Sequence, residues 1–172
     1  ESSALPHQAV APSSADANAP TGSAATDAPW LTPGTLLPVR VLQRYPASDY
    51  GDLRFPPALA SFCFPRGGAA VVASEQDTQP TSHGFVLTNE FGDRLYGAVL
   101  HLWEEFQDGT VRVEKALVVI GTQPLWGAFH AFLCALCRVA FSKGNAKERL
   151  VVNFMAETPL PPPGCTVSLG LP

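Results

Sequence analysis

The sequence predicts an α+β fold, an antiparallel sheet with helices packed against it, and three stretches predict it. Ser82–Trp103 (SHGFVLTNEFGDRLYGAVLHLW) holds two apolar runs, Gly84–Thr88 and Arg94–Trp103, around a polar turn with Asn89, Glu90, Gly92 and Asp93. Lys115–Gly121 (KALVVIG) is a short β-branched run, as a third long strand requires. Leu125–Phe141 is apolar on nearly every side, as expected of a core helix lying across the sheet.

The hairpin is the centre of that reading. Val, Leu, Phe and Tyr suit a pleated, half-buried surface, and Gly92 supplies the positive φ of a tight reversal. Side chains alternate along a strand, so Phe85 and Leu87 fall on one face and Val86 and Thr88 on the other. Beyond the turn, Leu95, Gly97, Val99 and His101 share a face, and Tyr96, Ala98, Leu100 and Leu102 take the opposite one. Both faces are largely apolar, which places the hairpin in the middle of the sheet with cover on both sides.

Composition bounds the rest. The chain has 172 residues, of which 46% are hydrophobic and 15% charged, enough to bury a core in one domain and leave a tail. A net charge of −4 without a basic run argues against a nucleic-acid surface. The first residue is Glu, as expected of a piece of something longer.

In chain order, residues 1–34 are rich in Ala, Ser and Pro with no hydrophobic period, which predicts a disordered tail and no signal peptide. Leu36–Pro46 reads as a short strand or helical turn running into a loop, and Pro56-Pro57 fixes an extended approach. Leu59–Phe64 (LASFCF) reads as a strand stopped by the turn Pro65-Arg66-Gly67-Gly68, and Ser74–Thr81 as a surface loop. Glu104–Val113 reads as a polar connection turning at Asp108-Gly109. Thr122 and Pro124 suit a helix start, Ser142–Asn145 a helix stop, and Lys147–Met155 a further helix with Leu150, Val151 and Phe154 on one face. Thr158–Gly164 (TPLPPPG) is a rigid extended connector, and Val167–Leu171 starts a strand.

No constellation for covalent chemistry is present. Of the cysteines at 63, 134, 137 and 165, Cys134 and Cys137 form a CxxC inside the helical run, without a second ligand pair, and read as buried reduced thiols of a cytosolic protein. His7, His83, His101 and His130 lack metal-ligand spacing, and neither HExxH nor GxSxG occurs. Gly67-Gly68 lacks the remainder of any phosphate-loop motif. Glu104 and Glu105 are sequence neighbours that point apart, read as a solvated loop. The expectation is a binding module with no catalytic, cofactor-binding or metal residue.

Five phrases in order carry a family resemblance: RYP at Arg44–Pro46, FCFPRG at Phe62–Gly67, FVLTNEFGDRLYG at Phe85–Gly97, ALVVIGTQPLWGAFHAFLCAL at Ala116–Leu136, and PLPPPG at Pro159–Gly164. Together they resemble the upstream part of the DENN domain (uDENN), over Pro38–Pro172. The hairpin and PLPPPG are the specific parts. Ala116-Leu117-Val118-Val119, Gly121 and Trp126 depart from common family residues in core-compatible ways.

The resemblance implies a longin-like lobe over residues 35–157 and, over 158–172, the connector and first strand of a truncated core DENN lobe. It implies part of a guanine nucleotide exchange factor for Rab-type small GTPases, acting in membrane traffic by stabilising the nucleotide-free GTPase. The alternative is a non-catalytic longin-like scaffold or a Rab effector module. The implied partners are a Rab-family GTPase and the downstream DENN lobe of the same chain. Localisation is expected to be cytoplasmic, with peripheral membrane association only through partners. Arg94, Tyr96 and Trp103, along the hairpin, are the expected partner-binding residues, against the alternative that they pack the sheet.

Overall fold

The computed structural model describes residues 31–49, 51, 54–88, 92–140 and 145–159. The expected tail up to residue 30, the tip of the hairpin, and the connector from residue 160 lie outside the described residues. Among the described residues there are five strands: β1 (Leu36–Leu37), β2 (Ala69–Ala73), β3 (Thr81–Thr88), β4 (Arg94–Phe106) and β5 (Val111–Gly121). They form one antiparallel sheet in the order β1-β2-β5-β4-β3. Helix α1 (Leu59–Cys63) precedes β2, and α2 (Trp126–Ala140) and α3 (Ala146–Val152) follow β5, with a π-helical turn at Asn153–Glu157. The fold is α+β, as the sequence predicts.

The pairing of β3 with β4 sets Phe85 opposite Gly97 and Val86 opposite Tyr96, which is the expected hairpin. Its position differs from the expectation. β4 is central, but β3 is the edge strand, and its even-numbered residues from Ser82 to Thr88 are exposed. The apolar content of Gly84–Thr88 therefore marks one covered face, with Phe85 and Leu87 turned inward and Val86 outward.

Both faces of β4 are covered, by different helices. Ala98 and Leu100 meet Val119 of β5 and Phe129, Phe132 and Leu133 of α2. Leu150 and Val151 of α3, with Phe154 after it, close over that cluster, and the Phe132 and Phe154 rings stack at 4.1 Å. On the opposite face Val99 packs with Leu59 and Cys63 of α1, and with Phe85, Leu87, Val118 and Ile120. A third cluster at the β2 end joins Val71, Val111 and Val113 to Leu31, so packed structure begins ahead of the composition change.

Two segments correct the sequence reading. Leu59–Phe64 is not a strand: residues 59–63 form α1, one short turn whose Leu59 and Cys63 are buried while Phe62 is half exposed. Six residues carry too little periodicity to separate a strand from a helix seen from its buried side. The Glu104–Val113 connection is mostly strand, since β4 continues to Phe106 and β5 starts at Val111. Only Gln107–Thr110 turns, with Gln107 and Asp108 both at φ 53° and Gly109 at 83°. Of the polar residues flanking that turn, Glu105 and Arg112 stand opposite each other on the two paired strands. β2, in the run AAVVA, was not anticipated at all; three of its small and branched residues are buried.

Candidate functional site

The sequence reading expects partner contacts along the hairpin, whose outer edge in the structure is β3. The eight residues of β3 carry no Lys, Pro or acidic residue, the usual guards of an exposed edge. Aromatic groups sit beside that edge on both faces. On the α2 side, the Trp126 ring covers Gly84 so closely that a β-carbon there would meet its Cζ3 at 2.7 Å. The same ring stands edge-on to Tyr96 at 5.8 Å. Val86 and Trp126 remain 48% and 39% exposed, so this is an apolar patch at the surface. On the α1 side, Phe62 stacks on Phe85 at 5.9 Å and is itself half exposed.

The structure does not bring the three expected contact residues together. Arg94 is exposed at the start of β4, opposite Thr88. Tyr96 is half-buried and belongs to the Val86–Trp126 patch, on the same face as Arg94. Trp103 lies nine residues along the strand from Arg94, about 30 Å at ~3.3 Å per residue, and its side chain points to the other face. It lines a groove of about 520 Å³ with Thr78, Pro80, Leu102, Glu105 and Arg112. The groove follows the part of β4 beyond His101, where β3 pairing has ended. Glu105 there pairs with Arg112 at 3.0 Å, and Glu104, on the opposite face, pairs with Lys115.

The loop carrying the RYP phrase is tied by its arginine. Arg44 donates to the carbonyl of Ala47 at 2.9 Å and to Asp49 at 2.7 Å, and lies 5.0 Å over the Phe55 ring. That guanidinium holds the Asp49 carboxyl below the usual carboxylate range. Phe55 in turn packs on the α1 face of the sheet.

On that same face of the sheet is a buried polar cluster that the sequence reading did not assemble. Glu114 of β5 and His101 of β4 are each 5% exposed. Glu114 accepts from Arg66 at 3.1 and 3.0 Å and from the backbone N–H of Ala70 at 3.1 Å. His101 Nδ1 lies 3.0 Å from Glu114 Oε1, near but out of line for a hydrogen bond. The His83 ring stacks on His101 at 5.3 Å, and Phe64 meets it at right angles at 5.4 Å. Burial pushes His101 below the ordinary histidine range; His83 and Arg66 add to this, and the nearby Glu114 opposes it. The signal lies in the register: on one face, positions 101 and 114 are diagonal neighbours across β4 and β5, as are 101 and 83 across β4 and β3. Glu114→Gln leaves Arg66 and the Ala70 N–H without their anion. The expected loss is about 1.5–3 kcal/mol, the range for hydrogen bonds to a charged group, read by urea unfolding at neutral pH.

Cys63 is buried and its thiol is pushed up to about 11, so it is protonated at neutral pH. Cys134 and Cys137 are half-buried against the α2 cluster, consistent with the core reading. Among the described residues there is no cluster of three metal-ligating side chains, and no helix is long and apolar enough to cross a membrane.

The uDENN domain model matches residues 39–102, from the RYP loop through α1, β2 and β3 to the middle of β4. Over that stretch the chain is similar to the uDENN domain. β5, α2 and α3 lie beyond the matched residues, although they complete its sheet and core. The chain is also 34% identical over 68 residues to elicitor of plant defense protein 1 of Gibberella zeae. That match covers 37% of this chain and 6% of the relative's length. No solved structure matches the chain.

Proposed function

We propose that this uDENN-like domain is one lobe of a guanine nucleotide exchange factor for Rab-type small GTPases. The observation that carries this reading is the uDENN match over residues 39–102, which contains the exposed β3 edge and its aromatic flanks. DENN proteins act on Rab GTPases through an upstream lobe joined to a core DENN lobe. Residues 35–157 would be the upstream lobe, in a longin-like arrangement, and 158–172 the connector into the second. Cytoplasmic residence with recruitment to vesicle membranes through partners accompanies the same proposal.

An exchange factor of this kind needs no nucleophile, acid or base. It binds the nucleotide-free GTPase more tightly than the GDP form, and by reciprocity weakens GDP by the same factor. The lack of any assembled catalytic constellation among the described residues is compatible with that mode of action. The proposed contact surface is the hairpin and its neighbouring loops, with Arg94 and the Tyr96–Trp126–Val86 patch at one end and Trp103 in its groove at the other.

The test uses the chain extended through whatever follows Pro172 in the full-length protein, offered to a panel of Rab proteins in nucleotide-free and GTP-loaded forms. Capture of one nucleotide-free Rab supports exchange; capture of GTP-loaded forms makes the protein an effector, and no capture leaves a scaffold. Residues 35–172 alone are expected to exchange far more slowly than the extended chain. Arg94→Ala is expected to weaken capture by up to about fivefold, the equivalent of ~1 kcal/mol for one exposed charge, without lowering stability. Unchanged capture by this variant would remove Arg94 from the surface.

A further inference from the structure

We propose that the cluster of His101, His83, Glu114 and Arg66 is an acid-operated latch that holds α1 and the turn after it on the sheet. The argument begins with how little else holds that segment. α1 is five residues long, has no side-chain cap, and buries only Leu59 and Cys63. A helix so short has almost no stability of its own and depends on what fastens its ends. Two polar contacts fasten the segment to the sheet, beside that packing and the stacking of Phe62 on Phe85. Arg66 donates to both oxygens of Glu114, and His83 Nε2 lies 3.3 Å from the carbonyl of Phe62. Phe64, between them, closes over the His101 ring.

His101 sits where both contacts meet. The titratable or charged groups facing it are His83 from β3, Glu114 from β5 and Arg66 from the turn between α1 and β2. α1 adds only the protonated Cys63 thiol, and α2 packs on the far face of β4. With His101 neutral, the buried Glu114 carboxylate is committed to Arg66 and the Ala70 N–H, and the turn is held down. A proton on His101 creates a buried cation stacked on His83 and competing with Arg66 for the same carboxylate. Arg66, whose side chain is 64% exposed, can be released to water, whereas His101 cannot reach water unless Phe64 and α1 lift away.

The direction of the pH dependence follows from the shift. Burial holds His101 below its unfolded value, so the open state binds the proton more readily. Closure is therefore fully favoured above about pH 6.5, the ordinary histidine value, and is lost as pH falls from there toward the depressed folded value. One proton taken up on opening raises the opening equilibrium by at most about tenfold per pH unit. Opening would uncover Val99, Phe85 and Leu87, the apolar face beneath α1.

Amide hydrogen exchange of the whole chain between pH 7.5 and 5.5, corrected for intrinsic rates, tests the latch. Protection of residues 59–68 is expected to fall by up to about tenfold per unit below pH 6.5, while β5 and α2 hold theirs. His101→Phe keeps a ring against His83 but cannot titrate, and should abolish the pH dependence. Protection of 59–68 that is flat in the natural chain, or that falls equally in His101→Phe, overturns the proposal. Should that variant fail to fold, NMR of the imidazole nitrogens in the natural chain decides: the His101 ring must still be neutral in the closed state at the pH where protection begins to fall. A His101 ring already protonated there rejects the latch.

Discussion

Leu133→Ala is expected to cost about 2–5 kcal/mol, the range for truncating a fully buried leucine. Leu133 is 0% exposed and stands where α2 meets Ala98 and Leu100 of β4 and Val119 of β5. Its loss removes apolar burial and leaves a cavity between a helix and a sheet, two rigid surfaces that cannot easily close together. Domains of this size have only about 5–15 kcal/mol in hand, so the variant should unfold at markedly lower urea. At roughly 2–4 °C per kcal/mol, the thermal midpoint should drop by about 4–20 °C. Trp126→Ala is the internal comparison, since Trp126 is on the same helix but 39% exposed, and should cost less. A loss below about 1 kcal/mol for Leu133→Ala would mean that α2 does not seat on the sheet.

The contrast between these two residues shows what sequence could and could not disclose. The apolar run 125–141 announces a core helix, but a helix apolar all round does not say which side is inmost. The hairpin was legible because alternation over long strands is a strong signal, and β5 because β-branched residues concentrate there. β2 escaped because AAVVA is short and small, and it is identified only by its partner β5. α1 read as a strand because five residues cannot display a helical period. β3 read as central because apolar content does not reveal whether a further strand lies beside it. The polar cluster was invisible for a related reason. His83, His101 and Glu114 are spread over three strands, and only the register makes them neighbours. Arg94, Tyr96 and Trp103 were grouped by position in one strand, whereas alternation and rise along β4 separate them.

Gly97→Ala is expected to destabilise by about 2–3 kcal/mol, although it adds only one methyl group in mid-strand, where Ala ordinarily does no worse than Gly. Phe85, its direct cross-strand partner, covers the glycine, and a β-carbon there would overlap the ring's Cζ, Cε1 and Cε2. The ring must swing away. It is then lost from the cluster around Val99, and its stacking on Phe62 of α1 goes with it. Most of the cost is thus the burial of one phenylalanine, about 1.5–3 kcal/mol, displaced rather than deleted. This account predicts strong non-additivity. In a Phe85→Ala background the added methyl meets no ring, so Gly97→Ala should cost close to nothing there, or stabilise slightly by restricting the unfolded chain. A double-mutant cycle by urea unfolding reads the coupling directly, expected at about 2 kcal/mol between the two positions. Additive costs would show that Phe85 does not cover Gly97. Both residues lie within the stretch that the uDENN model matches, and the same cycle tests a physical reason for the glycine there: it is the floor on which the edge-strand aromatic rests.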